Sequence, residues 1–212
     1  MAAQVDIAND ALVMLGMDTI TALSDTLNQA RAINAVWNLE RDNELRARVW
    51  KFSIARAALP ALSSVPASGP YTSQYQLPAQ CLRTLSVGDS YPAADLSDYR
   101  SGPTTGDYAI EGGMILTNLP APLSVRYVKQ ITDPGLFDAS FAKMFACRIA
   151  KAVCFRLTNS METVKAIMQE YQTALSEAMR ANALETSPTM PADDTWINTR
   201  LGDGGTLAIV NF

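Results

Sequence analysis

Ser140-Phe-Ala-Lys143 carries the S-x-x-K spacing, which sets a lysine amine one helical turn from a serine hydroxyl and could support acyl transfer with lysine as the base. The rest of that constellation is missing. No Lys-Thr-Gly occurs, and Ser97-Asp98 is followed by Tyr99 instead of Asn. A capping serine and an exposed lysine at the start of a helix are the plainer reading of the pair. Glu40, Asp42 and Glu44, with Glu162 and Glu170, could form a carboxylate metal site between helices. Di-iron bundles add a histidine three residues from a glutamate, and the chain contains none. A solvated charged face is therefore expected, and no metal or cofactor. Cys147 and Cys154 would act as nucleophiles only beside a base, and the nearest basic residues, Arg148 and Lys151, fall on other faces of the helix.

The missing histidine also removes the usual general base and the Ser-His and Cys-His dyads. Walker loops, GxGxxG, GxSxG and CxxC are absent as well. Cys147 and Cys154 are seven residues apart, about 10 Å at 1.5 Å rise per residue. That exceeds disulfide reach, so all three cysteines, Cys81 included, are expected to be reduced thiols in or near the core, in a cytosolic setting. The opening lacks a basic start and a long apolar run, so neither a secretory leader nor a membrane partner is expected.

The elements that must position these residues follow from a 212-residue chain that is 48% hydrophobic and 18% charged, enough for a real core. Ala8, Ala11, Leu12 and Leu15 recur at helical spacing up to Gly16, a predicted C-terminal cap. A second helix is expected from Ser24 or Asn28 to Leu59, with Ala32, Val36, Leu39 and Trp50 buried and Glu40, Arg41, Glu44 and Arg48 on the opposite, solvated side. Breakers then crowd the chain, and short β-like runs lie between them: 72–77, 82–87, 108–110, 114–117 and 123–130. Gly112-Gly113 reads as a hairpin turn. Helices return after Asp133-Pro134-Gly135. Asp138 or Ser140 caps the first, and Asn159 with Glu162 forms a capping box for the second, which runs to about Leu184. Trp37, Trp50, Phe52, Phe141, Phe145 and Tyr171 are expected in the core.

The expected class is α+β: an antiparallel helical bundle (residues 1–65 and 132–185), an inserted small antiparallel β domain (66–131) and an extended tail (186–212). The tail keeps Trp196, Ile197 and Arg200 and ends in Leu207-Ala-Ile-Val-Asn-Phe212. Too polar and broken to build its own core, it is expected to need a partner surface, with Trp196, Ile197, Arg200, Leu207, Ile209, Val210 and Phe212 at the interface; for Trp196 and Phe212, packing back on the chain's own helices is an equal alternative to anchoring on another subunit.

Four segments, in order, carry a likeness that periodicity does not supply: Ala8-x-x-Ala-Leu-x-x-Leu-Gly16; Glu40-Arg-Asp-x-x-Leu-Arg46 leading to Trp50-x-Phe52; Tyr75-x-Leu-Pro-x-x-Cys-Leu-Arg83; and Tyr127-x-x-x-Ile-Thr-Asp-Pro134 through Phe137 and Phe141. Tyr171 in the last helix and Asp194-x-Trp196-Ile197-x-x-Arg200 extend it. Across nearly its whole length the chain resembles the head-to-tail adaptors of tailed bacteriophages, of the tail tubular protein A type found in short-tailed phages. That resemblance implies a helical bundle interrupted by a β domain, with no catalytic residues and no cofactor. It also implies a ring of copies, typically dodecameric, between the portal protein and the tail nozzle or tail tube protein, assembled in the host cytoplasm and traversed by double-stranded DNA. The net charge of -4 agrees with a channel that must let phosphates slide. The alternatives from other classes are a serine-lysine hydrolase using Ser140 and Lys143, and a non-viral helical scaffold.

Overall fold

A computed structural model describes residues 3–64, 66, 69–88 and 108–185. Among the described residues it is a mixed α and β structure in which helices come first and last and two small antiparallel sheets lie between them. Helix α1 (Gln4–Met14) buries Ile7, Ala8, Ala11 and Leu12. It stops because Gly16 turns left-handed at φ 67°, the conformation glycine adopts without a Cβ penalty, and the Met17 N–H then reaches back to the Leu12 carbonyl at 3.0 Å. The Asn9 side-chain amide brackets Ile20 through both its backbone groups and folds the following loop onto the helix.

Helix α2 (Asn28–Ala47) ends twelve residues before the expected boundary at Leu59. Arg48 takes an extended backbone, and the indole N–H of Trp50 donates to the Glu44 carbonyl, capping one of the helix's orphan acceptors. The chain then forms a short 3-10 turn (Lys51–Ser53) and a strand, β1 (Ile54–Leu59), where continued helix was expected. The Ala-rich run Ile54-Ala-Arg-Ala-Ala-Leu59 has weak intrinsic preference; antiparallel pairing with a partner strand decides its form. The buried side of α2 also differs from expectation. Ala30, Ile33, Trp37, Arg41, Glu44 and Leu45 join Ala32 inside, Val36 is only half-buried, and Leu39 points outward.

The remaining strands are β2 (Ser73–Gln76), β3 (Cys81–Val87), β4 (Tyr108–Glu111), β5 (Met114–Thr117) and β6 (Leu123–Lys129). One sheet runs β1-β6-β3 and the other β2-β5-β4. The β4–β5 hairpin closes on Gly112 and Gly113 at φ 56° and 79°, as the glycine pair predicts. The two sheets share a core of Leu59, Tyr75, Val87, Ile115, Leu123, Val125 and Tyr127. Strand β6 serves both bodies, since alternate residues enter this core while Val128, on its other face, belongs to the helical core.

Helix α3 (Ala139–Thr158) is the centre of the helical body and packs against α1, α2 and the last helix, α4 (Met161–Leu184). Asp138 caps α3 by accepting the Ser140 N–H at 3.0 Å. The expected Asn159–Glu162 capping box does not form. Asn159 is instead the left-handed residue that closes α3, and the Ser160 hydroxyl caps α4 by accepting the Thr163 N–H at 3.2 Å. Among the described residues no helix is long and apolar enough to cross a membrane.

Candidate functional site

The serine-lysine pair stands at the start of α3. Ser140 stands in the first turn of α3 with its N–H on Asp138, and Lys143 is exposed. An acylating serine needs a lysine desolvated beside it. Cys147 and Cys154 are buried and Cys81 is half-buried, all free thiols. Burial pushes the Cys147 thiol up, Glu170 adding to it, and burial likewise raises Cys81, so both stay protonated and unreactive at neutral pH.

The five carboxylates do not meet at one point. Glu162 and Glu170 lie exposed on α4, and Asp42 is held by Arg41 at 2.9 Å and by the Gln130 amide at 2.8 Å. No metal-binding group of His, Cys, Asp and Glu occurs among the described residues. Glu40 and Glu44 contradict the solvated-face reading in a different way, for they turn into the junction of α2, α3 and α4, and the Glu44 side chain is 4% exposed. Arg148 binds Glu40 at 2.6 Å and approaches Glu44 at 3.4 Å. Arg48 donates to Glu44 at 2.8 Å, an i, i+4 pair in the favourable order, and the Tyr171 hydroxyl donates to the other Glu44 oxygen at 2.8 Å. Burial works against the Arg148 charge, but Glu40 and Glu44 more than offset it and hold the guanidinium ionised. Lys151 and Arg148 both sit over the Tyr171 ring. This is a closed, satisfied network that fixes three helices in one register.

Arg148 carried the missed signal. It follows Phe145 by three residues on a helix whose stripe is apolar, and a cation there requires a buried anion. Glu40 and Glu44, one turn apart on α2, both answer it.

Two hollows remain. Arg56 and Arg126, directly opposite on β1 and β6, line one of about 240 Å³ with Ser86 and Ser124. The other, of about 440 Å³, runs between α1 and α3. Ile7, Met14 and Ala142 form its floor, Val13 and Ala139 its exposed lip, and Asp6, Asp10 and Lys143 its charged rim. The sequence singled out none of these as a surface. The interface residues it did single out, Trp196, Ile197, Arg200, Leu207, Ile209, Val210 and Phe212, lie outside the described residues. Set against known proteins, the chain matches no family model and no curated protein.

Proposed function

We propose that the chain is a virion structural protein, a head-to-tail adaptor whose copies form a ring joining the portal to the tail nozzle or tail tube around the DNA channel. The finer architecture belongs to this reading: a helical bundle, a β domain inserted into it, and a C-terminal tail that engages a partner. The observation that carries it is that every described segment of the resemblance has a distinct structural task. Ala8, Ala11, Leu12 and Leu15 are buried and Gly16 ends α1. Glu40 pairs with Arg148 in the ionic network, while Arg46 donates to the Leu82 carbonyl and so ties α2 to β3. Trp50, Phe52, Phe137 and Phe141 pack on one another, Tyr75 is fully buried between the sheets, and Asp133 caps the turn that leads into α3.

The mechanical logic agrees. A ring makes each copy present two different surfaces to its neighbours, and a joint between head and tail adds two more. A molecule with a helical body and a β body, tied by the Arg46–Leu82 and Asp42–Gln130 bonds, has chemically distinct ends to offer. Its net charge of -4 disfavours tight binding of passing phosphates.

The test is reconstitution on portal rings. The full chain should dock as a ring beneath the portal in electron micrographs and attach to DNA-filled heads, and deletion of residues 187–212 should abolish attachment while leaving helical content by circular dichroism unchanged. Undiminished attachment of the deleted chain would overturn the role given to the tail, and failure of the full chain to dock would overturn the adaptor reading. The hydrolase alternative separates cleanly: a fluorophosphonate probe should leave the protein unlabelled, whereas labelling abolished by Ser140→Ala would establish a nucleophilic serine.

A further inference from the structure

We propose that in the free chain the α1–α3 groove is occupied by the chain's own C-terminal segment around Asp193 to Arg200, with the Trp196 indole on the apolar floor. The inference holds whether or not the chain is an adaptor.

The groove asks for a short peptide of definite pattern. Its volume, about 440 Å³, falls in the roughly 300–1,000 Å³ range of ligand clefts. Its floor is apolar, with a cation, Lys143, on the α3 side and two anions, Asp6 and Asp10, one turn apart on the α1 side. The tail offers the complement in linear order: Asp193-Asp194, then Trp196-Ile197, then Arg200. The acidic pair answers Lys143, the apolar pair the floor, and Arg200 the two aspartates, while the opposite direction sets like charges together at both ends. Asp6 is partly committed, since it accepts the Ala3 N–H at 2.8 Å, which leaves Asp10 as the main partner for Arg200.

The chain also arrives at the right place. Arg148 sits over Tyr171, and nine residues back along α3 and nine forward along the antiparallel α4 bring Ala139 level with Arg180. Helix α4 therefore runs past the start of α3, the end of the bundle that holds Ala139, Ala142 and Lys143. From Glu185 to Trp196 is eleven residues, at most about 36–40 Å of extended chain, against a helix diameter of about 10–12 Å to be rounded. A linker of this length gives an effective concentration in the millimolar range, so an intrinsic dissociation constant of about 0.1 mM suffices for a mostly filled groove. An attachment that weak yields readily to a partner with a larger surface, so the tail is stored in the free chain and released on assembly.

The test uses the full chain and acrylamide quenching of Trp196, read as the difference from Trp196→Phe because Trp37 and Trp50 are buried in the core. At concentrations where sedimentation shows a monomer, Trp196 should be quenched several-fold less than free N-acetyltryptophanamide. Val13→Asp, at an exposed lip position the fold tolerates, should raise quenching to the free value, as should Lys143→Glu. Combining Lys143→Glu with Asp193→Lys and Asp194→Lys should restore protection. Trp196 as accessible as the free indole, or protection indifferent to Val13→Asp, would overturn the proposal. So would protection that develops only as the protein oligomerises, because the occupant would then be a second copy's tail.

Discussion

Phe141→Ala should lower the unfolding free energy by about 3–5 kcal/mol, the cost of emptying an aromatic site that cannot collapse. The ring is fully buried and touches four others: Trp50 at 4.9 Å and Phe52 and Phe137 at 5.0 Å edge-on, and Phe145 stacked at 5.9 Å. Such contacts add about 0.5–1.5 kcal/mol each beyond area burial. The position matters as much as the area. Trp50 and Phe52 belong to the segment that leaves α2 for the sheets, and Phe137 to the segment that returns from β6 to α3. Phe141 thus clamps both crossings between the helical and β bodies. In urea, the midpoint should fall with little change in slope, and Phe141→Leu should recover most of the loss because it preserves volume better. Phe155→Ala, on the same helix but 56% exposed, should stay within about 0.5 kcal/mol of the parent. A Phe141→Ala cost no larger than that of Phe155→Ala would show that Phe141 clamps neither crossing.

Much of this fold is legible in the sequence because its local signals agree with one another. Glycines at 112 and 113 between alternating runs, Gly16 after an apolar helical stripe, and the uninterrupted spacing from Val164 to Ala178 each dictate their element with no help from the rest of the chain. Where two segments must find each other, the sequence falls silent. Residues 54–59 have no strand period of their own; their form is fixed by β6, more than sixty residues later, whose hydrogen bonds and flanking side chains they meet. Glu44 reads as surface because carboxylates usually are, and only the pairing of α2 with α3 brings Arg148 to it. The capping error is of a third kind. Asn159 and Ser160 are both good caps, and the left-handed turn that Asn tolerates assigned it to the helix before, leaving Ser160 to begin the next. The α1–α3 groove was invisible for the first reason reversed: its residues are ordinary helix positions until two helices leave a gap between them.

Glu44→Ala should cost about 3–5 kcal/mol, because it removes one member of a buried ionic set and leaves the others uncompensated. Arg48 and Arg148 would then face each other across the vacated site, and the Tyr171 hydroxyl would lose its acceptor. Glu44→Gln keeps an acceptor for Tyr171 and the side-chain shape, so it should cost less; Arg148→Met should be comparably severe, since it leaves Glu40 and Glu44 as neighbouring like charges. A double-mutant cycle between Glu44→Gln and Tyr171→Phe should return a coupling of about 0.5–3 kcal/mol. The network also sets an alkaline limit. Burial raises the Tyr171 hydroxyl above its ordinary value, and the bond to Glu44 raises it further, so the folded chain holds that proton after the unfolded chain has released it. The stabilisation is complete below about pH 10, where tyrosine is protonated in both states, and is lost as pH climbs from there through the raised folded value. Urea midpoints followed from pH 8 to 11 should therefore fall more steeply for the parent chain than for Tyr171→Phe. Parallel curves would mean that Tyr171 ionises as easily folded as unfolded, which a hydroxyl donating to a buried carboxylate cannot do.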